Sequence, residues 1–375
     1  MKGVDVAEEL RFGIRDIPSC ARYGFSARKI WVFFKTLVLS WIIWDIFVYL
    51  GFFAAGSDMA ARWDQSRLLP LPGSLFWMDT IPVILLAIGI VLIIHVLMRG
   101  SMMVSRMTFQ QVRGDDFFSG ADASRFTKTH SAPLITIPVM LVLTMIIIFA
   151  VGVLAGVVSG IPAAGNVLVA VLSLPLWGMM LLGLLTAAGL LLALQLVPAV
   201  VATTGGDTFE AVFEVFSTLT SQSWRLFLYF LAAVIAILSA GLLFLLFSSL
   251  ALTVLSSAFT LGAGNGSLVS TMAAGPQVLA PEVLPYFSGL VTFGHQDGAG
   301  TLTGLAGLIA SISGTAVFLV VLSYMCSGFS AAWTLIYMVL KFRKDGEDLL
   351  ERADREDQRE FDRMYGETGP GPVEE

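Results

Sequence analysis

Six long apolar stretches decide what this chain can become. They cover roughly 31–55, 80–98, 133–159, 167–198, 224–258 and 304–340. A helix needs about 20 apolar residues to cross a hydrocarbon core about 30 Å thick. Lipid offers no hydrogen bonds to backbone groups, so continuous runs of this length must be helical. A β-barrel is excluded, because its strands alternate in polarity and these runs do not. The expected fold is therefore all-α, a polytopic transmembrane bundle of six spans.

Composition agrees. Charged residues make up 13% of the chain, against about 25% in a soluble domain. That is too few to cover a water-facing surface, and no long polar block could form a separate globular domain. The chain divides into a cytoplasmic amphipathic segment at 1–30, a six-span domain at 31–340 and a charged cytoplasmic tail at 341–375. The fourth, fifth and sixth stretches exceed a minimal span, which predicts tilting, kinking or projection beyond the bilayer. Pro175 is the expected kink in the fourth. The first run is too long for the 7–15-residue core (about) of a signal peptide, so it reads as an uncleaved anchor.

Orientation follows from the basic residues. The N-terminal segment carries seven, from Lys2 to Lys35. The 99–132 connection carries five, the 199–225 connection one (Arg225), and the tail seven. These twenty fall on one side of a six-span topology, and only Arg62 and Arg67 fall on the other. The split predicts cytoplasmic N- and C-termini and an even number of spans. Cys20 and Cys326 then both lie on the reducing side, so no disulfide is expected and both read as small buried hydrophobes. The basic residues cluster at membrane edges rather than on one face, so nucleic acid is not an expected partner. The expected partner is the lipid bilayer, with other membrane subunits or a second copy of the chain as further candidates.

The segments preceding the outward spans share a design. The first places Val6, Leu10, Ile14 and Ile17 on one helical stripe, stopped by Pro18. The second runs Gly114-Asp-Asp116-Phe-Phe118, then Asp122-Ala123-Ser-Arg-Phe126 and His130. The third runs Gly206-Asp207-Thr-Phe209-Glu210-Ala211, then Phe213, Phe216 and Trp224-Arg225. The second and third share a Gly-Asp start, an acid–Ala pair and an aromatic boundary. This pattern predicts three parallel repeats of an interfacial helix followed by a membrane hairpin. Asp115-Asp116 reads as a helix N-terminal cap.

The stretch from Pro198 to Arg225, with Asp207, Glu210, Ala211, Trp224 and Arg225, resembles poorly characterised bacterial six-span proteins related to the glycerophosphoryl diester phosphodiesterase membrane domain. The resemblance covers about 60 residues. It implies a multi-pass protein of the bacterial inner (cytoplasmic) membrane. It carries no catalytic residue over, because such membrane domains lack the soluble phosphodiesterase.

Asp45 is the one carboxylate inside a span. Lys35, ten residues earlier, lies about 15 Å away along the helix and about 80° around it, so the two cannot pair directly. A charge in lipid costs about 2.5–3.5 kcal/mol, so Asp45 should find a wet cavity or a hydrogen-bonding neighbour. With His95 near the end of the second span, Asp45 and Lys35 form the candidate polar site. The three histidines, His95, His130 and His295, show no metal-ligand spacing, and neither a metal nor a cofactor is expected. No Walker loop, Gly-x-Ser-x-Gly elbow or His-Glu-x-x-His occurs. The small residues Gly152, Gly156 and Gly160 in the third span, and Gly300, Gly304, Gly307, Ser311 and Thr315 in the sixth, form ridges that let helices approach closely. The tail should form a helix with Asp348–Arg352 and Glu351–Arg355 pairs at i,i+4. Together these features point to a non-enzymatic scaffold, assembly or regulatory subunit of a membrane complex. A transporter or lipid-handling protein with its path near Asp45 is the alternative.

Overall fold

The computed structural model describes residues 11–73, 79–162, 164–263, 267–279 and 304–352. Among these the chain is helical, with no strand. A 3₁₀ turn over Ile14–Ser19 leads into α1 (Cys20–Gly24). Then follow α2 (Ala27–Ala54), α3 (Met59–Ser66), α4 (Thr80–Val112), α5 (Gly120–Thr129), α6 (Ala132–Ser159), α7 (Ala164–Val171), α8 (Ser173–Thr204), α9 (Thr208–Ser221), α10 (Ser223–Ala263), α11 (Ser267–Leu279) and α12 (Gly304–Asp345). Among the described residues six helices, α2, α4, α6, α8, α10 and α12, are long and apolar enough to cross a membrane. The chain is a multi-pass membrane protein.

The prolines act differently from the sequence expectation. The fourth apolar stretch breaks at Leu172, between α7 and α8, and Pro175 is the third residue of α8. A first-turn residue has no intrahelical partner for its N–H, so proline is tolerated there and marks a start rather than a kink. Pro18 lies inside the 3₁₀ turn, which continues directly into α1. The stripe residues Val6 and Leu10 lie outside the described residues, as do His295, Gly300 and the tail from 353.

Exposure along α8 explains its length. Large apolar side chains are exposed from Leu174 to Leu191, whereas 192–203 is almost wholly buried. Eighteen residues at 1.5 Å each make about 27 Å, close to one hydrocarbon thickness. The remaining third of α8 is enclosed by protein instead of lipid.

The chain divides into two compact units. The first comprises Met1–Ser19, Ser105–Ala233 and Ser330–Glu375. Its core is the end of α12, where every residue from Ala331 to Leu340 is buried. The Phe230 ring lies 5.6 Å from the Trp333 ring, and the Ser105 hydroxyl donates to the Ser330 carbonyl.

The second unit comprises Cys20–Val104 and Val234–Phe329. Here α1 crosses α12 so closely that a methyl group on Gly24 would sit 2.5 Å from the Gly328 Cα. The Ser327 hydroxyl donates to the Gly24 carbonyl and the Tyr324 hydroxyl to that of Ala21. Phe25, Phe244 and Tyr324 close the same corner with mutual edge-to-face contacts. Burial pushes the Cys20 thiol up to about 12, so it behaves as a hydrophobe. α11 packs on α12 in the same way: a side chain on Gly275 would collide with the Ser311 carbonyl, and one on Gly314 with that of Met272. Gly307, Ser311 and Thr315 are buried along this ridge, and Gly304 begins the helix. Small residues here let backbones touch, as their spacing predicts.

Candidate functional site

Two polar constructions stand out, one in each unit. The first is a network of charges around α9. Its stripe Ala211, Glu214, Val215 and Thr218 follows helical spacing and is buried. Glu214 is the charged member, and its side chain is only 5% exposed. The Lys341 ammonium, at the end of α12, donates to Glu214 Oε1 at 2.5 Å. It also lies 2.8 Å from Asp345 Oδ2 and 3.7 Å from Glu347 Oε2. Lys344 is 3.7 Å from both Glu214 Oε2 and Asp345 Oδ2. Arg352 reaches Glu347 at 3.2 Å.

Three acids and three bases thus balance. The chain returns to complete the network because Gly346 adopts a left-handed φ of +67°, which glycine takes without strain. Asp348 then caps a new helical turn by accepting from the Leu350 N–H, and Leu349 is buried. The expected Asp348–Arg352 pairing gives way to this: Asp348 serves the backbone and Arg352 pairs with Glu347.

Around α5 a different cation is held. Arg106 of α4 donates to the Ala202 carbonyl at 2.9 Å and stacks over the Phe126 ring at 4.3 Å. His130 is the C-terminal cap of α5 and stacks on Phe126, with 4.3 Å between the ring centroids. Asp116 is not a cap. The capping residue is Ser119, whose hydroxyl accepts from the Asp122 N–H, while Asp115 accepts from the Phe117 N–H in the turn before it. In α9 the cap is Asp207, accepting from the Glu210 N–H. The shared Gly-Asp start is therefore no structural equivalence, since Gly114-Asp115 lies five residues before the Ser119 cap and Gly206-Asp207 contains the cap itself. The acid–Ala pair is one: Ala123 and Ala211 are each 0% exposed. Trp224 and Arg225 are exposed at the start of α10, and Trp224 stacks on Phe227.

The second construction surrounds Asp45. Its carboxylate accepts from the Leu69 N–H at 2.9 Å. One residue earlier, the Trp44 indole donates to the Pro70 carbonyl at 3.0 Å, and the Tyr49 hydroxyl donates to the Arg67 carbonyl. Leu68 N–H donates to the Leu279 carbonyl at 2.8 Å. Arg67 and Leu69 both have positive φ, 49° and 69°. Such strained backbone persists only where its surroundings over-determine it, and these four bonds do so.

The candidate trio is not brought together. Asp45 serves the 67–70 strap. Lys35 is exposed, its ammonium 5.9 Å from the Trp31 ring. His95 is half-buried in α4 with no hydrogen-bond partner for Nδ1. Among the described residues no group of three His, Cys, Asp or Glu could hold a metal. The third-span ridge is used only in part: a side chain on Gly152 would press on Met180, while Gly156 has open space beside it. Gly156 instead lines an apolar groove of about 340 Å³ between α6 and α8, with Trp177 and Met180 opposite. Gly160 is the C-terminal cap of α6.

Glu214, Lys341 and Arg106 escaped the sequence reading. The signal for Glu214 was one acid on an otherwise apolar stripe. Nothing in the sequence names its partner 127 residues away. No protein-family model, no curated protein and no solved structure matches the chain.

Proposed function

We propose that this chain is a non-enzymatic integral protein of a bacterial cytoplasmic membrane, with both termini in the cytoplasm, that scaffolds, assembles or regulates other membrane components. Three repeats of interfacial helix plus membrane hairpin, beginning near 31, 133 and 224, form its frame. The observation that carries this reading is how the internal charges are used. Asp45, the carboxylate a transport path would need, is engaged by a backbone N–H of its own strap. The resemblance of 198–225 to the phosphodiesterase membrane-domain group supports it too, because no catalytic residue comes with that resemblance.

The test is purification in a gentle detergent followed by native mass spectrometry. A stoichiometric protein partner is the expected result. A monomer holding a lipid or solute that Asp45→Asn releases would overturn the proposal in favour of a transport or lipid-handling role.

A further inference from the structure

α4 touches α2 through two glycines. A methyl group on Gly100 would sit 2.6 Å from the Thr36 hydroxyl, and one on Gly89 2.8 Å from the Phe47 Cβ. The two helices therefore run antiparallel, with 36 opposite 100 and 47 opposite 89. Lys35 and Arg99 each precede a contact residue, so each is turned from the contact by about 100°. Because the helices run in opposite directions, both turns end on the same flank of the pair. The two residues differ in height by only about 3 Å.

Depth is the second observation. On α2 the exposed apolar side chains extend to Phe53, eighteen residues after Lys35; on α4 they begin at Ile81, eighteen residues before Arg99. Eighteen residues of helix span about 27 Å, close to one hydrocarbon thickness. Both cations thus stand at the edge of the leaflet that faces the start of α2. Beneath them the same flank is apolar and exposed. Leu39, Ile42 and Ile46 follow Lys35 at helical spacing, and Leu92 and Ile88 precede Arg99 likewise.

The third observation concerns partners. Elsewhere the fold answers its inward cations: Arg106 has the Ala202 carbonyl, Lys341 the Glu214 carboxylate and Lys29 the Tyr23 carbonyl. Lys35 is exposed and Arg99 half-buried. Among the described residues Lys35 has the Trp31 ring at 5.9 Å and no acid, and Arg99 has neither a hydrogen bond nor an ion pair. Cations left in this way at the hydrocarbon edge are matched by an anion of the bilayer itself.

We infer that Lys35 and Arg99 bind the phosphate of an anionic phospholipid whose acyl chains lie along the α2–α4 seam. Arg presents a planar fork to phosphate oxygens and Lys a point charge, while both stems run along apolar surface. Phosphatidylcholine fits less well, because its own ammonium would face two cations. A second copy docked across this seam about a two-fold axis would bring four cations together. The inference rests on the membrane spans and not on the scaffolding role.

The full chain in detergent is titrated with phosphatidylglycerol or phosphatidylcholine and read by native mass spectrometry. Wild type is expected to bind the first phosphatidylglycerol at least tenfold tighter than phosphatidylcholine. Lys35→Gln/Arg99→Gln should abolish that preference, and Lys35→Arg/Arg99→Lys, which keeps both charges, should retain it. A wild type without preference, or a Gln variant that keeps it, overturns the inference. If the Gln variant does not fold, wild type still decides: photoactivatable phosphatidylglycerol should label α2 and α4 between 35 and 46 and between 88 and 99, and labelling only elsewhere refutes the site. A homodimer or protein partner that the Gln variant releases refutes it in favour of a protein interface, and bound inorganic phosphate in place of lipid in favour of a soluble anion. Asp45→Asn should leave the lipid bound. Release by that variant defeats both this inference and the scaffolding reading, whereas a wild type without preference defeats the inference alone.

Discussion

α5 and α9 perform one packing task with different chemistry at a single equivalent position and on the outward side. Adding 88 to the α5 numbers pairs Ser119 with Asp207, Asp122 with Glu210, Ala123 with Ala211, Phe126 with Glu214 and Thr127 with Val215. Caps, acidic third residues and buried alanines coincide. At the fourth pair each helix meets a cation from a long apolar helix, but α5 offers it a ring and α9 a carboxylate. The ring receives Arg106 at 4.3 Å, and the carboxylate receives Lys341 at 2.5 Å. What the two helices share at this position is a held cation, not a residue type. It also ties α9, through Glu214, to the end of α12.

The comparison breaks most readily at Glu214. Glu214→Ala removes the most buried acid of the network, while Lys341 keeps Asp345 at 2.8 Å and Glu347 at 3.7 Å, so the cost falls below that of a fully stranded buried charge, at about 1–3 kcal/mol. Glu214→Ala should lower stability by that amount in equilibrium unfolding from mixed micelles, and Glu214→Ala/Lys341→Met should recover part of it. A loss below about 1 kcal/mol would show that the network does not hold α9. Next come the two alanines. Ala123→Leu and Ala211→Leu each overfill a closed site and should each cost about 1–3 kcal/mol. Similar losses sharpen the equivalence, and a harmless substitution in one helix alone breaks it.

Phe126→Leu keeps most of the apolar volume and removes the ring under Arg106. A loss of about 0.5–2 kcal/mol is expected, the range for a stacked cation. The smallest effect belongs to the outward side: Phe209→Ser should change stability by no more than about 0.5 kcal/mol, because the ring makes little contact within the chain. A large destabilisation there would mean that the outward face of α9 is packed, unlike that of α5.

Six spans and their helical nature were legible in the sequence because each depends on residues near one another; the cap of α5 was not, since it was expected at Asp115-Asp116 and falls at Ser119. About twenty apolar residues in a row decide a span, whereas several polar residues in the 114–122 segment compete for the cap. The register between the second and third boundary segments was half legible. The acid–Ala pair aligned correctly, but the Gly-Asp start misled, since Gly114 ends α4 with a positive φ of 93° and the cap falls five residues later. Asp45 was legible as a group needing a partner, because an uncompensated carboxylate in lipid is costly. Which partner was not legible: Leu69 lies 24 residues on, and the strap reaches Asp45 only because strained Arg67 and Leu69 are held by Trp44, Tyr49 and Leu279.

By itself, then, the sequence determined a multi-pass helical membrane protein and the small-residue ridge of its last span, both set by local hydrophobicity and side-chain size. The tertiary structure alone decided that the excess length of α8 is sheathed in protein, that Glu214 answers Lys341 across 127 residues, and that α9 keeps an apolar side uncovered. These depend on which surfaces meet, and a long-range pairing leaves no periodic trace in the chain that makes it.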